Sequence, residues 1–223
     1  MQARPAHKAS TEPIDLTELP RRYPDGEALC EDPSIWLFED YASQEELAAL
    51  REAAFERLAP AKVSGAVGGY ISEGRSGSNC WVSHDHDPLI KSLAQRIARL
   101  VGLPLSHAEA FQVVYYGPGQ EYRAHYDGWE AGTERGDRCM ARGGQRLVTA
   151  LLYLNYVEGG GATAFPKLDL QIRPLPGNLL LFHNCQPGTN IRHPQSLHRA
   201  LPVLAGEKWA ANLWFREHSY QQP

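Results

Sequence analysis

The sequence predicts an α+β protein that is mainly β, a double-stranded β-helix (jelly-roll) core with supporting helices on its N-terminal side. Two patterns carry the prediction. From residue 108 onward, short β-branched and aromatic runs alternate with Gly, Pro and Asn breaks: AEAFQVVYYG, QEYRAHYD, QRLVTALLYLNYV, ATAF, LQIRP, NLLLFHN, SLHRALPVL and KWAANLWFRE. Repeated strands separated by turn residues read as a sandwich or barrel. Ahead of them lie two stretches with apolar positions at helical spacing. Composition agrees, since 20 Gly and 16 Pro in 223 residues imply many turns.

Taken in order, residues 1–30 are polar and Pro-rich without a sustained apolar period, the pattern of a flexible arm. The domain is expected over residues 31–217, with a core over about 108–217 and a tail over 218–223. SIWLFEDY, residues 34–41, reads as a strand. Ser43 and Glu46 then form a capping box before a helix expected over 44 to about 58. Asp87-Pro88 opens a second helix, which Gly102 stops. Residues 62–81 are rich in Gly and Ser and suit a mobile loop or a loosely paired hairpin, while 128–145 are charged and Gly-rich, too long for a hairpin turn; each is a candidate lid.

The formal net charge is −4, and Lys and Arg are scattered along the chain, so no basic stripe offers itself to nucleic acid. No apolar run approaches the length of a membrane span, and MQARPAHKASTEP lacks the apolar stretch of a signal peptide. Cys30, Cys80, Cys139 and Cys185 stand far apart with no CxxC pair, which suits reduced thiols and a cytoplasmic protein.

The chemistry centres on His125-Tyr-Asp127. Period two on a strand sends the imidazole and the carboxylate to one face, a chelating pair. His198, from a later strand, would complete the two-His, one-carboxylate set that leaves three open positions on non-haem Fe(II). Alone, such a pair is more often a surface hydrogen bond. Lys208, ten residues after His198, could place a cation opposite the metal, so that a dicarboxylate is gripped at both ends. The competing reading is a surface lysine.

The stretches YYGPGQEYRAHYD, GGQRLVTALLYLNYVEGGGATAFP and PLPGNLLLF, then His198 and PVLAGEKWAANLWFRE, resemble in order the catalytic domain of the prolyl 4-hydroxylase family of Fe(II)/2-oxoglutarate-dependent dioxygenases. The likeness spans about residues 110–217, and RSGSNCWV, residues 75–82, extends it more weakly. It implies Fe(II) on His125, Asp127 and His198, with 2-oxoglutarate and O2 as cosubstrates and ascorbate as a reductant. Tyr116 and Thr163 would join Lys208 on the C5 carboxylate. Tyr122, Arg146 and Trp214 would line the place of a peptidyl proline, making a prolyl residue of a peptide or protein the expected target and succinate and CO2 the coproducts. Because halogenases of this kind lack the carboxylate, Asp127 implies hydroxylation. A free amino acid or other small molecule is the alternative substrate, and a non-catalytic, cupin-like metal module the alternative of another class. Arg199 and Arg216 depart from the family pattern on the substrate side.

Other polar groups are read structurally. Gly159-Gly160-Gly161 is a bend rather than an anion cradle, His183 a satisfied or solvent-facing histidine, and His84 to Asp87 a turn and helix cap. Tyr153 should face the same interior as Thr149 and Leu151, as core in preference to cosubstrate wall.

Overall fold

The computed structural model describes residues 14–65, 68–71 and 74–220. Residues 1–13 of the expected arm, part of the first candidate lid and the last three residues of the expected tail lie outside these. In chain order the strands are β1 Glu27–Cys30, β2 Ile35–Phe38, β3 Ala59–Pro60, β4 Lys62–Gly65, β5 Gly68–Ile71, β6 Ser78–Val82, β7 Phe111–Tyr116 and β8 Tyr122–His125. There follow β9 Arg146–Tyr153, β10 Gly159–Gly160, β11 Thr163–Phe165, β12 Leu170–Ile172, β13 Leu179–His183, β14 His198–Ala200, β15 Val203–Ala205 and β16 Lys208–Arg216. The helices are α1 Gln44–Phe55, α2 Pro88–Val101 and α3 Glu134–Met140.

An eight-stranded sheet runs β1-β2-β13-β9-β16-β7-β6-β3, and a four-stranded sheet runs β12-β11-β14-β8. All their pairings are antiparallel, as in a jelly roll. The period of two decides what each face of the large sheet does. On β16, Trp209, Ala211, Leu213 and Phe215 join the core beneath the helices. Their neighbours Lys208, Ala210, Asn212 and Trp214 face the other way, into a cavity. Strand β9 divides likewise, with Val148, Ala150 and Leu152 toward the helices and Leu151 and Tyr153 in a second cluster shared with Phe165 and Ile172 of the small sheet.

Helix α2 begins and ends as expected, with Asp87 accepting from the Leu89 N–H at 2.7 Å and Gly102 stopping it at φ +78°. Helix α1 has its capping box but stops at Phe55, short of 58. Arg96 of α2 grips Glu46 of α1 through two hydrogen bonds of 3.0 and 2.8 Å, locking the pair together. Among the described residues no helix is long and apolar enough to cross a membrane.

Three expectations are corrected. Residues 14–30 of the expected arm pack on the core: Tyr23 is 3% exposed, its hydroxyl lies 2.9 Å from His183 Nε2, and β1 pairs with β2. Tyr23, the partly buried Ile14, Leu16 and Leu19, and the bonds from Ser34 and Trp36 to the Arg21 carbonyl together hold a segment whose composition looks disordered. The 128–145 segment contains α3, capped by Thr133; seven residues are too few to show a helical period. Strand β6, inside the first candidate lid, is a full member of the large sheet, pairing with β7 from Ser78↔Tyr115 to Val82↔Phe111. The same segment also holds the β4–β5 hairpin, in line with the hairpin expected there.

Candidate active site

Strands β8 and β14 pair with His198 opposite His125, which brings the two imidazoles to ring centroids 4.3 Å apart. Asp127 stands just beyond the end of β8, so strand pairing does not hold it. Instead its Oδ2 accepts from Thr149 Oγ1 at 2.9 Å and from Trp214 Nε1 at 2.8 Å, and Thr149 in turn accepts from Asn184 at 2.9 Å. Each histidine has its Nδ1 against a backbone carbonyl two residues back, Arg123 at 2.8 Å and Ser196 at 2.9 Å. Both Nε2 atoms therefore face the carboxylate. They lie 3.7 and 3.6 Å from it, too far for hydrogen bonds, and one ligand atom from each residue falls within 4.8 Å of the others.

This donor set fits a divalent first-row ion. A metal-binding imidazole must be neutral, with its second nitrogen fixed by an outer partner, and the backbone contacts supply that. Burial and the neighbouring His198 push the His125 pKa down to about 3. Burial works to raise that of Asp127, yet the two histidines, Arg146 and the Trp214 N–H outweigh it and hold the group at about 2. Two nitrogens and one carboxylate oxygen are the facial set of non-haem iron.

At the other end of the cavity, which has a volume of about 160 Å³, stands Lys208. It is 2% exposed, opposite Tyr116 in the β16–β7 register. Its Nζ donates to the Gly161 carbonyl at 2.6 Å, a carbonyl placed by the positive φ of +67° that glycine tolerates. No carboxylate among the described residues pairs with it, and burial alone pushes its pKa down to about 7. Tyr116 lines the same wall, its phenol raised by burial against the opposing pull of Arg75. Thr163 lies across from them and accepts from the Tyr153 hydroxyl at 2.9 Å. Tyr153 is thus fully buried core, as expected, and also the support of Thr163.

The three expected substrate-side residues border the metal end. Tyr122 stacks on His125 with ring centroids 3.6 Å apart, and the Arg75 guanidinium lies 4.6 Å from the Tyr122 ring centroid. The Arg146 guanidinium lies 3.7 Å from the Trp214 ring centroid. A bulge between Phe215 and Arg216 in the β9–β16 register reverses the alternation and turns Arg146 to the inner face, which strict alternation from Thr149 would not. His84 hydrogen-bonds the Glu109 carbonyl at 2.6 Å, and His183 is satisfied by Tyr23, so neither joins the metal set.

Several residues of the site escaped the sequence reading. Glu109, 3% exposed, binds Arg146 through bonds of 2.6 and 2.8 Å and lies 3.2 Å from Arg216. Trp129 carries both guanidiniums near its ring. Arg75 donates to Gln112 at 2.9 Å. None stands in a local pattern; only the RS pair at Arg75 offered a signal.

A jelly roll with two imidazoles and a carboxylate at one end of its cavity and a buried lysine at the other defines the 2-oxoglutarate/iron(II) oxygenase class. Comparison with known proteins agrees. The family model described as 2OG-Fe(II) oxygenase superfamily matches residues 111–216. Prolyl 4-hydroxylase 2 of Arabidopsis thaliana is 31% identical over 213 residues, covering 85% of this chain and 69% of the plant protein. Prolyl 4-hydroxylase subunit alpha-2 of Gallus gallus is 33% identical over 189 residues, 84% of this chain; the chain spans only 35% of that subunit's length. The viral collagen prolyl hydroxylase of Paramecium Bursaria Chlorella virus-1, solved as a 2OG complex, superposes with TM-score 0.67 at 28% identity, covering 84% of this chain and 98% of that one. The chain belongs to the prolyl 4-hydroxylase family of 2-oxoglutarate/Fe(II) oxygenases.

Proposed function

We propose that this chain is an Fe(II)- and 2-oxoglutarate-dependent hydroxylase of a prolyl residue in a peptide or protein. The observation that carries the reading is Lys208, a buried cation without an acidic partner among the described residues, in the cavity that holds the metal-type triad. A non-catalytic metal module has no use for such a cation, and leaving it uncompensated costs stability. A dicarboxylate supplies the missing anion.

In this reading His125 Nε2, Asp127 Oδ1 and His198 Nε2 hold the iron, while Lys208, Tyr116 and Thr163 bind the C5 carboxylate of the cosubstrate. Bound iron would couple oxidative decarboxylation of 2-oxoglutarate, giving succinate and CO2, to hydroxylation of an unactivated C–H bond. The protein supplies position and exclusion of water more than acid-base catalysis. Trp214 and Thr149 fix the plane of the Asp127 carboxylate through Oδ2, which also faces His198 Nε2 at 3.6 Å, and leave Oδ1 without a protein donor among the described residues, 3.7 Å from His125 Nε2. Tyr122 and the Trp214–Arg146 stack border the place of the target ring. Proline as target draws support from the names of the plant, avian and viral relatives. A reducing compartment, the cytoplasm, belongs to the same proposal and is supported by four free cysteines.

The test is succinate release with Fe(II), 2-oxoglutarate and O2, comparing Pro-containing peptides with free proline. Peptides should stimulate release strongly and gain one oxygen by mass spectrometry. Equal turnover of free proline would replace the peptide reading with a small-molecule one.

A further inference from the structure

Of the acidic side chains described, only Asp127 lines the metal cavity, whereas four arginines do, Arg75, Arg135, Arg146 and Arg199. In a chain of formal net charge −4 this is a strong local excess, gathered from three separate regions of the sequence. The site's own chemistry does not need it. The charges of Fe(II) and Lys208 together are cancelled by Asp127 and the dicarboxylate, and Arg146 is already committed to Glu109. The remaining three have no acidic partner among the described residues. Arg135, on α3, and Arg199, next to the metal-type His198, are exposed at the mouth. Arg75 is 7% exposed, gives one N–H to Gln112 and faces the Tyr116 hydroxyl, and its buried Nε has no hydrogen-bond partner among the described residues. A buried, incompletely paired guanidinium is costly unless an acceptor arrives.

Resting on the proposed peptide-hydroxylase reading, we infer that the substrate is an acidic peptide segment, with Asp or Glu flanking the target proline and paired to Arg199 and Arg135 at the mouth. Arg75 supplies a further donor inside. Guanidinium suits this task because its planar fork meets a carboxylate through two parallel hydrogen bonds. The arginines ring a concave pocket rather than forming an extended stripe, which favours a peptide over a nucleic acid strand.

The experiment measures fluorescence anisotropy of labelled, otherwise identical proline-centred peptides with Glu, Gln or Lys flanks, added to the full chain at low ionic strength. The Glu peptide should bind about tenfold more tightly than the Gln peptide, and the Lys peptide most weakly, with the gap narrowing as salt is added. The double variant Arg135→Glu/Arg199→Glu, altered only at exposed positions, should invert that order. Equal binding of the Glu and Gln peptides, absence of binding by all three, an unchanged order in the variant, or tighter binding of a single-stranded oligonucleotide would each overturn the inference. Turnover of the same peptides separates the two claims. Hydroxylation of Glu and Gln peptides with equal KM defeats only the acidic-flank inference; tight binding of the Glu peptide without hydroxylation of any defeats only the hydroxylase reading.

Discussion

The two ends of the cavity are prepared in opposite ways. At the metal end each group has its outer contact before any ligand arrives: backbone carbonyls behind both imidazoles, a tryptophan and a threonine on one carboxylate oxygen. At the other end Lys208 has a carbonyl at 2.6 Å and, among the described residues, no counter-charge. Preorganisation fixes geometry at the first end, whereas the second is left electrostatically incomplete for its ligand to finish. The first should therefore lose function when a supporting contact is cut, and the second should gain stability when its cation is removed.

The largest effect is expected from His198→Ala, which removes a ligand outright and should abolish succinate formation in a coupled assay. Next, Lys208→Met should weaken 2-oxoglutarate binding by about 2 kcal/mol or more, the loss of a charge-assisted pair, read by calorimetry. The same variant should raise the melting temperature of the protein without metal or cosubstrate, because the buried unpaired charge is gone. Lower stability there would break the contrast between the two ends. Trp214→Phe keeps an aromatic side chain but removes the indole N–H that bonds Asp127, and should reduce Fe(II) affinity by about tenfold in a metal titration. Tyr153→Phe, which frees Thr163 from its donor, should cost the cosubstrate about 1 kcal/mol.

The pH dependence sharpens the comparison further. Lys208 has a folded-state pKa near 7 against an ordinary value of 10.5. Below 7 both states carry the proton and the fold bears the full cost of the buried charge. Between 7 and 10.5 the unfolded chain binds more protons, so stability should rise with pH across that window and Lys208→Met should flatten the rise. Cosubstrate affinity should move the other way, falling above pH 7 as binding demands a proton on the lysine.

Much of both ends was legible in the sequence because it is written locally. His125 and Asp127 are two residues apart, and Lys208 opens a strand whose alternation is plain. The supports of Asp127 were not, since Thr149 and Trp214 meet it only through the pairing of β9 with β16. Arg146 reaches the cavity through a bulge, which alternation alone cannot foresee. Glu109 gave no signal because its partners lie 37 and 107 residues away. The arginine rim illustrates the same limit: charges that look scattered along the chain are gathered by the fold around one opening. Helix α3 was hidden because seven residues are too few to show a period, and strand β6 because its order comes from pairing with β7 rather than from its Gly- and Ser-rich surroundings.

The central claim is that one cavity binds iron and a dicarboxylate together, with Lys208 completing the second. Adding Fe(II) and then 2-oxoglutarate under anaerobic conditions, while recording the visible spectrum, tests it without turnover. A charge-transfer band that saturates with 2-oxoglutarate in the native protein, and needs at least about thirtyfold more of it in Lys208→Met, is the predicted result. No band in the native protein, or the same half-saturation in both, would contradict the account.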